Sequence, residues 1–124
     1  MPALRINAGS VTVVAELNDS PTARLLWDAL PLDGKANRWG DEIYFAIPVD
    51  ADEEPHAVAG VEVGTIAFWP PGNAFCIFWG PTPASRGAQP MAASPVNVLG
   101  KIHGDATQFG RVASGARVRL EKTE

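Results

Sequence analysis

At 124 residues, 46% of them hydrophobic, the chain is long enough for one domain, residues 1–124, with its own core. Ten basic and fourteen acidic residues give a net charge of −4, and Lys35, Arg38, Arg86, Lys101, Arg111, Arg117 and Arg119 are scattered, which excludes the concentrated basic surface that nucleic acid requires. A single cysteine, Cys76, excludes an internal disulfide and any cysteine-built metal cage, and suits a reducing cytoplasm.

The opening residues carry no basic segment followed by an apolar stretch, so a secretory leader is not expected. No apolar run approaches the ~18 residues of a membrane span. Leu4 and Ile6, then Val11, Val13, Ala15 and Leu17, alternate as two antiparallel strands joined by Asn7-Ala8-Gly9-Ser10. Ser20-Pro21 is a helix start, with serine as N-cap and proline at the first helical position. Thr22, Leu26, Ala29 and Leu30 then share one helical face until Pro31 stops the run. Strands are expected over Gly34–Gly40 and Glu42–Pro48, and a polar, solvated loop over Asp50–Gly60.

Five of the ten aromatic residues fall between Thr65 and Trp79. Phe68, Trp69, Phe75, Phe78 and Trp79 flank the sharp turn Pro70-Pro71-Gly72-Asn73, a β-hairpin pattern. Neither face of that ribbon is polar, so both must be covered, one by a core and the other by a loop, another chain or a ligand. Gly80–Pro95 has no periodicity and holds four prolines, which reads as a long functional or disordered loop. Val96–Ile102 is a strand, Asp105–Ala113 a short helix, and Ala116–Lys122 a closing strand with Val118 and Leu120 facing in. This count predicts a mainly β fold: a closed or nearly closed antiparallel barrel of about eight strands with two short capping helices.

No phosphate loop, nucleophile elbow or His-Glu-x-x-His is present. His56 and His103 read as surface residues, no metal site is expected, and Cys76 reads as an inert core thiol. Gly40, between Trp39 and Asp41, suggests a bend that aims side chains off the sheet. Glu42 and Tyr44 share one strand face, either towards water or into a cleft beside Trp39. In such a cleft the carboxyl would have its pKa raised by desolvation. Arg38 and Arg86 are the cationic candidates for the aromatic surface.

Trp39-Gly40-Asp41-Glu42-Ile43-Tyr44-Phe45, Val63-Gly64, Trp69-Pro70-Pro71-Gly72, Ala74, Cys76, Gly80, Thr82-Pro83, Gln89-Pro90, Ser94 and Val96-Asn97-Val98-x-Gly100-Lys101-Ile102 together resemble the small prokaryotic cyclophilin-like proteins of unknown function. The resemblance implies a cyclophilin-type barrel. True cyclophilins are prolyl isomerases, but the Phe-His-Arg and Gln-Gly-Gly signatures are missing here, and Arg38 is only the nearest arginine by position. By analogy with cyclophilin-like domains in amide- and urea-metabolising enzymes, a small-metabolite role is also implied.

The sequence therefore predicts a barrel, without a cofactor, that binds a small molecule or proline-containing peptide. Its binding residues are expected to be Arg38, Trp39, Glu42, Tyr44, Trp69, Phe75, Phe78 and Arg86, with the 80–95 loop as lid. The alternatives are a divergent prolyl isomerase and a module that self-associates through the aromatic surface. The expected state is a monomer or weak homodimer.

Overall fold

The computed structural model describes residues 2–123. The alternating N-terminal runs form β1 (Ala3–Ala8) and β2 (Val11–Leu17), paired antiparallel with Ile6 opposite Val13. Helix α1 (Pro21–Ala29) begins where the sequence signals it. Ser20 Oγ accepts from the Ala23 amide at 3.3 Å, and Pro21 occupies the first turn. The chain continues through β3 (Leu32–Lys35), β4 (Asn37–Arg38), β5 (Glu42–Ala46), β6 (Val58–Gly60), β7 (Thr65–Trp69), β8 (Ala74–Phe78), β9 (Met91–Ile102), the 3-10 helix Ala106–Arg111 and β10 (Arg117–Lys122).

The main sheet runs in the order β3-β10-β1-β2-β9-β7-β8-β5-β4, with β6 paired to β9 off that path. The sheet does not close through a hydrogen-bonded ladder, so the closed barrel of the sequence reading needs correction. Its two end strands are instead consecutive stretches of chain. The predicted strand 34–40 is divided at Ala36, its first part pairing with β10 and its second with β5. Ala36 donates to the Ala116 carbonyl at 2.8 Å and accepts from the Gly115 amide at 2.7 Å, so the segment leaves one edge only as it joins the other.

The 80–95 stretch also differs from the expected loop. From Met91 onward it is the first half of a 12-residue strand, which pairs with β6 through Val58 opposite Val96 and Gly60 opposite Met91. An Ala-Ala-Ser-Pro segment lacks alternating hydrophobicity, and that hid the strand. The remaining loop is tied down: Asp41 donates to the Pro81 carbonyl at 2.9 Å, Val61 to the Pro90 carbonyl at 3.1 Å, and Thr82 Oγ1 to the Met91 carbonyl.

Two apolar clusters result. The inner one includes Leu4, Ile6, Leu26, Phe45, Phe68, Phe75, Ile77, Leu99, Phe109 and Leu120, with Phe45 and Phe75 rings 5.7 Å apart. The outer one lies on the opposite face of β7 and β8 and contains Val61, Ala67, Ala74, Cys76, Phe78, Ala92 and Val96. A one-residue bulge in β9 lets it serve both, since Ile66 pairs with Gly100 but Ala67 with Val98, which leaves Leu99 between them. Val96 joins the outer cluster and Leu99 and Ile102 the inner one.

The acidic loop is less solvated than its composition suggests. Glu54 accepts from the Thr22 amide at 3.1 Å and from Thr22 Oγ1, which places a carboxylate at the positive end of α1. Buried Asn97 completes the fastening: its Oδ1 accepts from the Glu54 amide at 2.8 Å, and its Nδ2 donates to the Asp52 carbonyl at 2.9 Å and to Thr22 Oγ1 at 3.0 Å.

At the bulge, a Cβ on Gly100 would lie 1.9 Å from the Glu16 carbonyl oxygen. Gly100→Ala is therefore expected to cost about 3 kcal/mol, the upper end of ordinary overpacking, read as a lowered midpoint in urea unfolding. An unchanged midpoint would mean that β2 and β9 are not in such close apposition.

Candidate functional site

The parity of β5 builds the site. Ile43 and Phe45 point into the inner core, so Glu42 and Tyr44 must emerge on the other face. Their cross-strand partners on β8 are Phe78 and Cys76. Gly40, at φ +64°, makes the turn that brings Trp39 to the same side, and the Trp39 amide donates to the Glu42 carbonyl at 2.9 Å. Trp69 comes from the end of β7, its indole donating to Ser94 Oγ at 2.7 Å.

Between them lies an open cavity of about 230 Å³, lined by Trp39, Glu42, Tyr44, Trp69, Cys76, Ala92, Ala93 and Val96. That is room for roughly eight waters. Four residues singled out in the sequence, Trp39, Glu42, Tyr44 and Trp69, are thus brought together. The other four are placed elsewhere, each for a physical reason. Phe75 lies on the inner face against Phe45, because residues 75 and 78 of one strand cannot share a face. Phe78 is on the outer face but is completely buried in the outer cluster with Val61, Ala92 and Val96. Arg86 is exposed on the 80–90 loop and does not line the cavity.

Arg38 is directed away from the cleft. Its Nε donates to the Gly40 carbonyl at 2.6 Å, and its Nη1 to the Gly110 and Val112 carbonyls at 3.1 and 3.2 Å. Its guanidinium carbon sits 4.9 Å from the Trp79 ring centroid. The side chain clamps the 3-10 helix to the β4–β5 turn.

Four lining residues were not anticipated. Ala92 and Ala93 lie in a stretch whose spacing reads as loop, and Val96, at the start of an expected strand, carries no local mark of the face it takes. Cys76 was read as core, yet its register opposite Tyr44 puts it on the outer face.

Glu42 is the electrostatic centre. The residue is only 5% exposed, and among the described residues the donor beside its carboxyl is the Cys76 thiol. Burial pushes its pKa up to about 7, with the neighbouring Cys76 thiol pulling partly the other way. Burial, and then the adjacent Glu42 charge, push the Cys76 thiol well above its ordinary value. It stays protonated at neutral pH and is no nucleophile. Among the described residues no cluster of three or more His, Cys, Asp or Glu could hold a metal ion. No helix there is long and apolar enough to cross a membrane.

The chain matches the family described as cyclophilin-like over residues 2–121. It belongs to the cyclophilin-like family. Its fold is shared with a solved structure, that of the hypothetical protein AF2241 from Archaeoglobus fulgidus. That structure, determined in solution, is 40% identical, with a TM-score of 0.84, and the match covers 98% of this chain and 95% of that one. No curated protein matches this cyclophilin-like chain.

The Glu42 carboxyl sets a pH dependence of stability. Its pKa is about 7 folded and near 4.5 unfolded, so between those values the folded state binds more protons. Stability from this group is full below about pH 4.5 and is lost as pH rises through 7, by roughly 3 kcal/mol. Urea unfolding at pH 5 and pH 8 should show that loss in the native protein and not in Glu42→Gln, which should be the more stable of the two at pH 8. Parallel curves would show that the carboxyl is not desolvated.

Proposed function

We propose that this protein is a binding barrel whose outer-face cleft holds a small molecule or one residue of a short peptide, without catalysing a reaction on it. One observation carries this reading. A buried carboxyl lining an open, aromatic-walled cavity has only a weak thiol donor, Cys76, from the chain. Buried polar groups in folded proteins are paired, and a site that served only the fold would give the carboxyl a stronger donor than a thiol or fill the space beside it. Apolar walls with a few convergent polar groups are the ordinary composition of a ligand pocket. The volume suits a fragment-sized occupant. The single thiol is in keeping with a reducing cytoplasm as the place of action.

A prolyl isomerase would call for a guanidinium donor in the cleft. No arginine or lysine lines it, and the donors of Arg38 are engaged by three carbonyls. Self-association through the same face would compete with ligand for Trp39 and Trp69.

A fragment library screened by protein-observed NMR is expected to shift the amides of Tyr44, Cys76 and Ala92. Saturation at about 100 times the dissociation constant should add ~2.7 kcal/mol of stability. Trp69→Ala should weaken the same ligand by about tenfold, the loss expected for one aromatic wall. Arg38→Ala should lower the melting temperature but leave affinity unchanged. Acceleration of cis–trans conversion in a proline peptide that depends on Arg38 would replace this reading with the isomerase.

A further inference from the structure

We infer that the group this cleft receives is a small organic cation, an alkylammonium or amidinium, held against Glu42 and walled by Trp39, Tyr44 and Trp69. The inference rests on the binding reading above and adds the charge of the occupant.

Three observations point to a cation. Glu42 is buried and lines an open cavity with only the weak thiol donor of Cys76 beside it, so its carboxyl has room for a stronger donor. An ammonium or amidinium supplies donors only, with no acceptor to face the carboxylate. The second observation is the absence of any compensating positive charge in the lining. Arg38 is bonded to carbonyls and to Asp41, at 3.4 Å, on the far side of the turn. An anionic ligand would meet an unshielded carboxylate, and a neutral acceptor could bond only to the protonated acid. The third is the wall. Aromatic rings attract cations through their quadrupoles, most strongly in desolvated sites. The Trp69 indole N–H is already taken by Ser94, so what Trp69 offers a ligand is its ring. The cavity volume restricts the apolar part of the cation to a few carbons.

Proton linkage gives the inference a signature. The groups facing Glu42 are Tyr44 from its own strand and the Cys76 thiol from β8. The lining residues from β7 and β9 (Trp69, Ala92, Ala93 and Val96) do not ionise, nor does Trp39 from the turn. Between pH 5 and 8 the carboxyl is therefore the titrating group of the lining. A cation binds its ionised form, so affinity should rise with pH up to about 7 and then level off.

The test titrates propylammonium, propanamide and propionate into the intact protein at pH 5.5 and pH 8, followed by amide shifts at Tyr44, Cys76 and Ala92. Propylammonium is expected to bind best of the three at pH 8 and about 30-fold more weakly at pH 5.5. Glu42→Gln should remove its advantage over propanamide. A preference for propanamide or propionate, or propylammonium affinity flat with pH, overturns the cation while leaving the binding cleft in place. Failure of all three probes to move those amides overturns both. The pH profile of the native protein decides the matter even where Glu42→Gln does not fold.

Discussion

The β7–β8 ribbon is apolar on both faces, and the rest of the architecture answers to that constraint. Its inner side chains, Ile66, Phe68, Phe75 and Ile77, are fully buried in the main core. Its outer side chains, Ala67, Cys76 and Phe78, would face water in an ordinary half-solvated sheet. The chain covers them by bending the first half of β9 over the ribbon and pinning it with β6, so that Val61, Ala92 and Val96 close over Phe78. The cover stops short of β5 and the end of β7. There Tyr44 and Trp69 remain partly exposed, and the cavity opens above Glu42. The cleft is the uncovered remainder of a second core.

This origin explains why the cleft combines a rigid floor with a charged group in an apolar setting. The floor is sheet, fixed by ladders on both sides of β8. Glu42 stands at the end of β5, opposite the wholly buried Phe78, so its carboxyl sits beside hydrocarbon. Desolvation is the first cause of its raised pKa. The same surroundings that disfavour the charge would strengthen any interaction with a partner that restored it.

Much of this was readable from residue types and spacing. The N-cap at Ser20, the hairpin about Pro70–Asn73 and the pairing of Glu42 with Tyr44 all follow from local rules that tertiary context did not override. Strand parity alone would have separated Phe75 from Phe78, since an odd and an even position on one strand cannot wall the same cavity. Arg38 shows where local rules end. Its carbonyl partners, Gly110 and Val112, are more than 70 positions away, and nothing in its neighbourhood predicts them. The strand from Met91 was hidden for another reason. Its alanines and Pro95 carry little strand propensity, and it forms because the ribbon beneath it needs a roof.

The passage of the chain through Ala36 has a further consequence. Sheet margins are where foreign backbones dock, and most folds blunt them with charge or bulges. Here the two margins of the main sheet are neighbouring lengths of one segment, four and two residues long, each already bonded to the strand beside it. A fibril growing by strand addition finds little template in such a molecule, even though its hairpin is among the greasiest stretches of the chain.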